Sequence, residues 1–259
     1  MNERDLQKLL APLGIGQVRL YETVSSTNDI ALAWAAEGAS GLALVFAEEQ
    51  TAGRGRGERS WYSPRGASLA FSLILSLIVE DPADVTLVTG LGALAVHEAL
   101  VELNLTPAIK WPNDVLLGGK KVSGVLMEAI WTGAALDRLV LGIGVNVRPE
   151  SVPATGLLNF PATCLDIETG TLVDRYALLK SILSQLVLWS PRVGSPQFLH
   201  AWEQRLAYRG EWVQVEREGT PALEGLAVGL DRDGALRLQT SAGVVHPVRL
   251  GEVKLRPLV

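Results

Sequence analysis

The first part of the chain shows two hydrophobic patterns typical of strands, separated by one typical of a helix. Apolar and polar residues alternate over 18–24, which predicts a half-buried strand, and the continuous apolar run at 42–47 predicts a buried one. Between them, Ser26-Thr27-Asn28-Asp29 supplies residue types that favour helix N-caps, and an alanine-rich run extends to Ala36. We therefore expect a strand–helix–strand unit here.

Similar patterns continue through the middle of the chain. Residues 68–78 alternate serine with bulky apolar side chains and predict a long strand, whereas 84–103 carry apolar residues at helical spacing. Residues 110–129 predict a hairpin whose two-residue turn is Gly118-Gly119. A further apolar run at 139–147 predicts another strand. The middle of the chain is therefore expected to add four strands and one helix.

The last part of the chain changes in character after two predicted helices, near 174–188 and 195–206. From Glu211 onward, short β-like runs alternate with Gly, Asp and Pro turns, which is typical of a small barrel or sandwich. We expect two domains, residues 1–208 and 209–259. Because strands and helices do not alternate strictly, the first domain is expected to be α+β rather than doubly wound.

Composition narrows the class of protein. The 259 residues carry a formal net charge of −5, which argues against a nucleic-acid partner. The single cysteine, Cys164, cannot form an internal disulfide, and three scattered histidines give no ordinary zinc site. The N-terminal segment lacks an apolar signal core, and no apolar stretch reaches the roughly 20 residues that a bilayer requires. We therefore expect a cytoplasmic protein with no membrane partner and no metal site of its own.

A loop rich in glycine and arginine carries the clearest chemical signal. Arginines alternate with glycines in Gly53-Arg54-Gly55-Arg56-Gly57, and Arg59 and Trp61 follow. Glycines let backbone amides approach a ligand closely, and guanidinium groups match phosphate or carboxylate oxygens. We interpret residues 53–61, the glycine–arginine loop, as a cradle for an anion. A solvated basic loop and an RNA-binding segment are the alternatives.

Two further segments bear on the chemistry. The run Gly90-Leu91-Gly92-Ala93-Leu94-Ala95 fits a dinucleotide-binding pattern, but it lies inside a helical pattern and Lys110 stands where an acid is needed. In Lys110-Trp111-Pro112-Asn113-Asp114, the proline interrupts the strand and should leave Asn113 and Asp114 at its rim. Lys120 and Lys121, after the predicted turn, are either solvent-exposed or directed at an anion. We therefore expect the second segment, not the first, to contribute to a site.

Taken together, these segments resemble the biotin protein ligases. The matching pieces occur in the family's order: Ser26-Thr27-Asn28, Gln50 with GRGR at 53–56, WYSP at 61–64, KWPND at 110–114, KKVSGVLME at 120–128 and GIGVNV at 142–147. The resemblance implies a mixed β-sheet with helices, related to class II aminoacyl-tRNA synthetases, followed by a small SH3-like β-barrel. It implies a monofunctional ligase without an N-terminal DNA-binding domain.

The resemblance also implies an activity. Biotin would be activated by ATP as biotinyl-5′-AMP and then transferred to a lysine of a biotin carboxyl carrier protein. ATP and biotin would be substrates, and Mg²⁺ would be held through the nucleotide phosphates. A homodimer is one of the assembly states left open. A lipoate or octanoyl transferase of the same fold and a non-catalytic biotin-binding protein are the alternative functions.

Roles carried over by the resemblance fall on matching positions only. The catalytic set would be Arg54, Arg56, Lys121 and Asp114. Biotin would be bound by Ser26, Thr27, Asn28, Gln50, Arg54, Gly55, Arg56, Lys121, Gly124, Leu126 and Gly142. ATP would be bound by Arg56, Arg59, Trp61, Asn113, Lys121 and Asn146. Glu58 departs from the glycine common in the family, and an acid at this position could pair with Arg59.

Three residue-level expectations follow from this assignment. Asp114 is expected to accept the proton of the acceptor lysine, with a turn-capping role as the alternative. Glu128, farther along the same strand, is expected to form a salt bridge or to pack. The proline-rich segment 148–161 is expected to close over the adenylate and exclude water.

Overall fold

The computed structural model describes residues 1–39, 41–57, 59–75, 85–132, 135–154, 160–217, 220–249 and 253–258. Within them, the larger sheet consists of β1 (Gln17–Tyr21), β2 (Ala43–Ala47), β3 (Ser68–Leu75), β4 (Pro107–Lys110), β5 (Asp114–Leu117), β6 (Lys120–Thr132) and β7 (Ala135–Asn146). Its seven strands lie in the order β1-β2-β3-β7-β6-β5-β4. Among these described strands, only β1 and β2 pair in parallel. The expectation of an α+β fold with a mixed sheet is confirmed.

Helices cover both faces of this sheet. The described helices are α1 (Glu3–Leu10), α2 (Thr27–Ala36), α3 (Val85–Val101), α4 (Leu165–Thr169), α5 (Arg175–Trp189) and α6 (Pro196–Gln204). On one face, Ala31 and Ala35 of α2 pack against Val45, Ile74 and Val140. On the other face, α3 lies on β4–β7, and α5 packs against α3. Helix α2 has ten residues, and three residues at its N-terminal end, Ser26, Thr27 and Asn28, line the cleft described below.

The predicted hairpin and helix starts are confirmed. Leu117 pairs with Lys120 across the two-residue turn, and both turn glycines have positive φ angles, 53° at Gly118 and 75° at Gly119. These angles suit the type I′ turn, which glycine adopts without steric cost. Ser26 is the N-cap of α2, and Asp174 and Ser195 are the N-caps of α5 and α6.

The dinucleotide-like run lies within α3, as the helical pattern predicts. A Cβ at Gly90 would lie 2.5 Å from the Trp202 ring, and one at Gly92 would lie 2.7 Å from Val125 Cγ1. These glycines therefore permit close packing of α3 against its neighbours. They form no strand-to-helix turn.

The chain after residue 211 forms a second sheet. Its strands are β8 (Trp212–Arg217), β9 (Thr220–Leu230), β10 (Leu236–Gln239), β11 (Val245–Val248) and β12 (Val253–Pro257), in the order β11-β10-β9-β8-β12. All of their pairings are antiparallel, as expected for a small SH3-like unit. Trp111 Nε1 donates to Gly234 O (3.0 Å), and Leu230 N donates to Glu203 Oε2 (2.8 Å). One hydrophobic core runs through both sheets.

Several boundaries differ from the sequence-based expectations. Helix α1 was not predicted, yet Leu6 and Leu10, one turn apart, are both fully buried. β1 ends at Tyr21, and Val24 instead forms an isolated bridge with Gln50. The expected end of β3 at 78, the start of the long helix at 84, Glu58 and residues 155–159 lie outside the described residues. The longest helix in the described ranges, α3, has 17 residues, and no helix there meets the length and apolarity that a membrane crossing needs.

Candidate active site

A cleft lies between the N-terminal end of α2 and the strands β6 and β7 of the larger sheet. Its floor consists of Gly142 and Gly144 on β7 and Gly124 on β6, and Gly124 pairs directly with Gly144. A Cβ at Gly142 would lie 2.1 Å from Asn28 Oδ1, and one at Gly144 would lie 2.3 Å from Trp61 Cε2. No side chain fits at either position, so the depth of the cleft depends on glycine there.

The cleft has about 640 Å³ of empty space, which includes open solvent at its mouth. All of the predicted site residues except Asp114 and Asn146 line it. Together with other described residues they are Ser26, Thr27, Asn28, Gln50, Arg54, Gly55, Arg56, Arg59, Ser60, Trp61, Phe71, Asn113, Lys121, Gly124, Val125, Leu126, Gly142, Ile143 and Gly144.

One end of the cleft is a cluster of neutral polar side chains. Thr27 donates to Gln50 Oε1 from its amide (2.8 Å) and from its hydroxyl (3.1 Å). Ser72 Oγ lies 2.5 Å from Asn28 Oδ1 and 2.8 Å from Thr27 Oγ1. Ser26, Thr27 and Asn28 are almost fully buried. Buried donors and acceptors of this kind discriminate between ligands by hydrogen bonding, which an apolar wall cannot do.

The glycine–arginine loop crosses the cleft as a narrow hairpin. Trp61 N donates to Gly53 O and Gly55 N donates to Arg59 O, both at 2.7 Å. The Arg54 guanidinium lies between two carboxylates, 2.9 Å from Asp29 Oδ1 and 2.5 Å from Glu128 Oε2. This confirms the expected salt bridge of Glu128. The catalytic role of the Arg54 side chain stays a prediction.

The other end of the cleft is cationic. Lys121 Nζ lies 2.7 Å from Asp114 Oδ1 and 5.5 Å from the centre of the Trp61 ring. Arg56 Nη1 donates to Asn113 Oδ1 (3.4 Å), and Asn113 Nδ2 donates to Val125 O (2.8 Å). Asn113 is therefore fixed to β6 and faces the loop. Asp114 stands behind Lys121 and does not line the cleft.

Lys110, which sequence reasoning did not assign to the site, lies near Asp114 and Lys121 but does not line the cleft. Burial is the main reason that its pKa is lowered; Asp114 opposes this, and the nearby charges of Lys121, Arg256 and Arg59 add to it. Its ammonium group lies 3.9 Å from the centre of the Phe160 ring. The contributions of Lys121 and Arg59 show that their positive charges lie close to Lys110.

Trp61 covers the floor beside Lys121. Its ring lies against Gly144 and Gly124, and its buried Nε1 has no hydrogen-bond partner among the described residues. A buried donor without a partner carries a desolvation cost of about 1–3 kcal/mol. A ligand that accepts from Nε1, or that moves the ring, would relieve it.

Asn146 lies on β7, two residues beyond Gly144 of the floor, and is not among the residues that line the cleft. It is 4% exposed, and its Nδ2 donates to Thr163 O (3.1 Å). Residues 162 and 163 are attached to Lys121 by a parallel bridge and by the bond from Thr163 N to Lys121 O (2.9 Å). The segment 148–161 therefore begins and ends beside the predicted site. Closure of this segment and the role of Asn146 stay predictions.

The described residues contain no group of three or more His, Cys, Asp or Glu side chains arranged to hold a metal ion. Sequence reasoning also missed Ser72. The only signal for it was a serine within an apolar strand, on the same sheet face as Gly142, its pairing partner.

The comparisons with known proteins agree with this geometry. A family model described as Biotin/lipoate A/B protein ligase family matches residues 20–146, and another, Biotin protein ligase C terminal domain, matches 209–256. The chain is 38% identical over 228 residues to the biotin–[acetyl-CoA-carboxylase] ligase of Paracoccus denitrificans, covering 84% of this chain and 92% of that protein.

Two further relatives extend the match to most of the chain. The ligase of the same name from Mycobacterium tuberculosis is 34% identical over 258 residues, covering 95% of this chain and 92% of its own. The structure of a biotin protein ligase from Aquifex aeolicus in complex with biotin and ATP superposes with a TM-score of 0.79. It is 32% identical and covers 93% of this chain and 99% of that one. The chain therefore belongs to the biotin protein ligase family.

Proposed function

We propose that this protein is an ATP-dependent ligase that activates biotin as biotinyl-5′-AMP and transfers it to a lysine of a biotin carboxyl carrier protein. The observation that carries the proposal is the polarity of a single cleft. Buried neutral donors and acceptors lie at one end, and Lys121 with Arg56 and Arg59 lies at the other. Such a cleft suits a ligand with a neutral polar ring at one end and a carboxylate at the other. The carboxylate would then lie beside the phosphate with which it reacts.

The neutral end is proposed to bind the biotin ring. Ser26, Thr27 and Gln50 would hydrogen-bond the ureido group, with Asn28 supporting them from α2. The backbone at Arg54 and Gly55 would close this end. The floor glycines and Leu126 would contact the bicycle and the aliphatic tail. The ring would gain specificity from hydrogen bonds and affinity from apolar burial.

The cationic end is proposed to carry the first half-reaction. The biotin carboxylate attacks the α-phosphorus of ATP, and pyrophosphate leaves. Lys121 and Arg56 would hold both reacting groups and offset the charge that develops, with Arg59 toward the pyrophosphate. Trp61, Asn113 and Asn146 would bind the nucleoside side. We also propose that Mg²⁺ enters with the nucleotide, where it would help to offset phosphate charge.

The second half-reaction is proposed to use Asp114. A lysine ammonium has a pKa of about 10.4, so the acceptor arrives protonated. Once the amine is free, it attacks the mixed anhydride and AMP leaves. Asp114 is the carboxylate of the segment 110–114, and its Oδ1 lies 2.7 Å from Lys121 Nζ at the cationic end. It would attract or accept the proton there.

The experiment that tests the function combines two readouts. Pyrophosphate exchange into ATP is measured with biotin, lipoate or octanoate as the acid, and mass spectrometry detects modification of a carrier-domain lysine. We expect biotin-dependent exchange and biotinylated lysine. Exchange with lipoate or octanoate alone would indicate the related transferase. Biotin binding without exchange would indicate a non-catalytic protein.

The remaining proposals concern context. We propose that residues 1–208 and 209–259 are the two domains, supported by the separate matches that the two family models give. We propose further that the enzyme acts in the cytoplasm on a carboxylase carrier. A homodimer is the assembly state to be tested, by light scattering with and without biotin plus ATP.

A further inference from the structure

The proposed mechanism uses the backbone of Arg54 but gives no role to the ion pairs that its side chain forms with Asp29 and Glu128. We propose that Glu128 is a positioning residue that acts through Arg54 and fixes the glycine–arginine loop over the biotin end of the cleft. On this view the Arg54 side chain fastens the loop and does not bind phosphate. The inference rests on the proposed function only for its kinetic consequences.

A single carboxylate oxygen joins three elements. Glu128 Oε2 on β6 accepts from Asn28 Nδ2 of α2 (2.8 Å) and lies 2.5 Å from Arg54 Nη2 of the loop. Asp29 Oδ1, also on α2, lies 2.9 Å from the same guanidinium nitrogen. The Glu128 side chain is 25% exposed and that of Arg54 is 39% exposed. The cluster therefore sits at the mouth of the cleft, where it can hold the loop to the body of the protein.

The charges at Arg54 argue against a phosphate ligand. Its guanidinium already contacts two carboxylates, so a phosphate placed there would meet two negative groups at short range. Arg56, two residues on, extends to the opposite wall, where it donates to the neutral Asn113 and lines the cleft together with Lys121. A phosphate is better placed at that wall than at Arg54.

The two arginines attach the loop at both walls of the cleft. Arg54 is attached to β6 at Glu128, and Arg56 is attached to it through Asn113 at Val125. Three residues separate Glu128 from Val125, so the two attachments are about 10 Å apart along the strand. Between them the loop hairpin presents the backbone of Arg54 and Gly55 to the ligand. Loss of one attachment leaves the loop free to move before binding, so the ligand must order it.

The test is a double-mutant cycle on adenylate synthesis with Glu128→Gln, Arg54→Met and the double variant. The glutamine side chain keeps an acceptor for Asn28 but removes the charge that pairs with Arg54. We expect each single variant to raise the KM for biotin about 10-fold or more, with kcat and the KM for ATP within about 3-fold of wild type. Both substitutions remove the same interaction. The double variant should therefore have a KM for biotin no higher than that of the more impaired single variant. Glu37→Gln is the matched control, since Glu37 pairs with Arg19 away from the cleft.

Hydrogen exchange gives a readout that needs no activity. In the unliganded protein, we expect Glu128→Gln to speed exchange of the Gly55 and Trp61 amides, which close the loop hairpin, while Glu37→Gln leaves them unchanged. Asp29→Asn, which loses only the second carboxylate, should show a smaller effect in the same direction and serves if Glu128→Gln fails to fold.

Three results would overturn the inference. They are a wild-type KM for biotin in Glu128→Gln, losses that multiply in the double variant, and an Arg54→Met variant that raises the KM for ATP alone. If wild-type protein forms no biotinyl adenylate, the proposed function fails. The inference then stands or falls on the exchange of the loop amides.

Discussion

At the floor of the cleft, a Cβ added to Gly144 would meet the ring of Trp61. We expect Gly144→Val to leave the sheet intact, because valine suits a strand, but to weaken biotin binding about 10- to 100-fold. The added Cβ would lie 2.3 Å from Trp61 Cε2, so the indole must move into the space of the ligand. Calorimetric titration with biotin measures the loss. Gly16→Ala is the control, since nothing lies within 4 Å of its Cβ, and unchanged binding in Gly144→Val would refute this account of the floor.

Arg56 is expected to matter for rate more than for structure. Removal of one charge-assisted contact to a transition state in a partly desolvated site lowers the rate roughly 10²- to 10³-fold. Arg56→Ala should therefore slow pyrophosphate exchange by that factor while circular dichroism and the melting temperature stay near wild type. Exchange at the wild-type rate in the folded variant would remove Arg56 from the phosphate site.

Substitution of Asp114 is expected to affect the second half-reaction and not the first. Asp114→Asn should spare adenylate synthesis and slow transfer to the carrier, and the defect should shrink as pH rises because free amine becomes more abundant. Single-turnover transfer from preformed adenylate across pH measures this. Because Asp114 also pairs with Lys121, an equal loss in both half-reactions would mean that its role is to hold that lysine.

Among the elements, α3 is joined to the end of α6 by the ion pair between Glu98 and Arg205, and the strength of this pair depends on pH. Burial alone would raise the pKa of Glu98, but hydrogen bonds from His97 and Arg205 lower it from 4.5 to about 2. A carboxyl whose pKa is lowered by folding stabilises the fold above its unfolded pKa and loses that contribution as pH falls toward the folded value.

Glu98→Gln should therefore cost about 1–2 kcal/mol at pH 7, and the difference from wild type should vanish as pH falls from 4.5 toward 2. Urea unfolding at several pH values measures it. Glu102→Gln is the control, because Glu102 is bonded by the neutral groups of Ser181 and Gln185. A pH-independent difference would mean that charge is not the cause.

Elements with strong local signals were predictable from sequence, and elements set by packing were not. The β5–β6 hairpin has a glycine pair at its turn, and α2 has cap residues and an apolar run. Helix α1, by contrast, is buried through two leucines in a polar segment, and α4 has five residues. Their helical state depends on neighbours that no local pattern reveals.

The site shows the same division. The motifs predicted most of the cleft-lining residues because their glycines, arginines and helix-capping residues can be recognised locally. The contact between Glu128 and Arg54 could not be predicted, because they are 74 residues apart and meet only through the strand order of the sheet. Ser72 reaches Asn28 for the same reason.

At the scale of the whole molecule, the two sheets share one core. Trp202 lies against Gly90 of α3 and against Gly234 of the turn before β10. We expect calorimetry to show a single unfolding transition, and Trp202→Ala to lower it without splitting it, at a cost of about 3–5 kcal/mol. Two separated transitions in the wild type would show that the sheets unfold independently.

The bond from Trp111 to Gly234 has a consequence for recombination between relatives. Trp111 stands two residues before Asn113, so the tail of the chain supports the strand end that carries part of the active site. A chimera that joins one relative's residues 1–208 to another's tail crosses this contact and the packing of Trp202 and Leu87 on Gly234. Such hybrids should regain activity when Leu87, Trp111 and Trp202 are exchanged together with the tail. We therefore expect that exchange of the tail alone, cut at the sequence boundary near residue 208, is not enough for a functional hybrid.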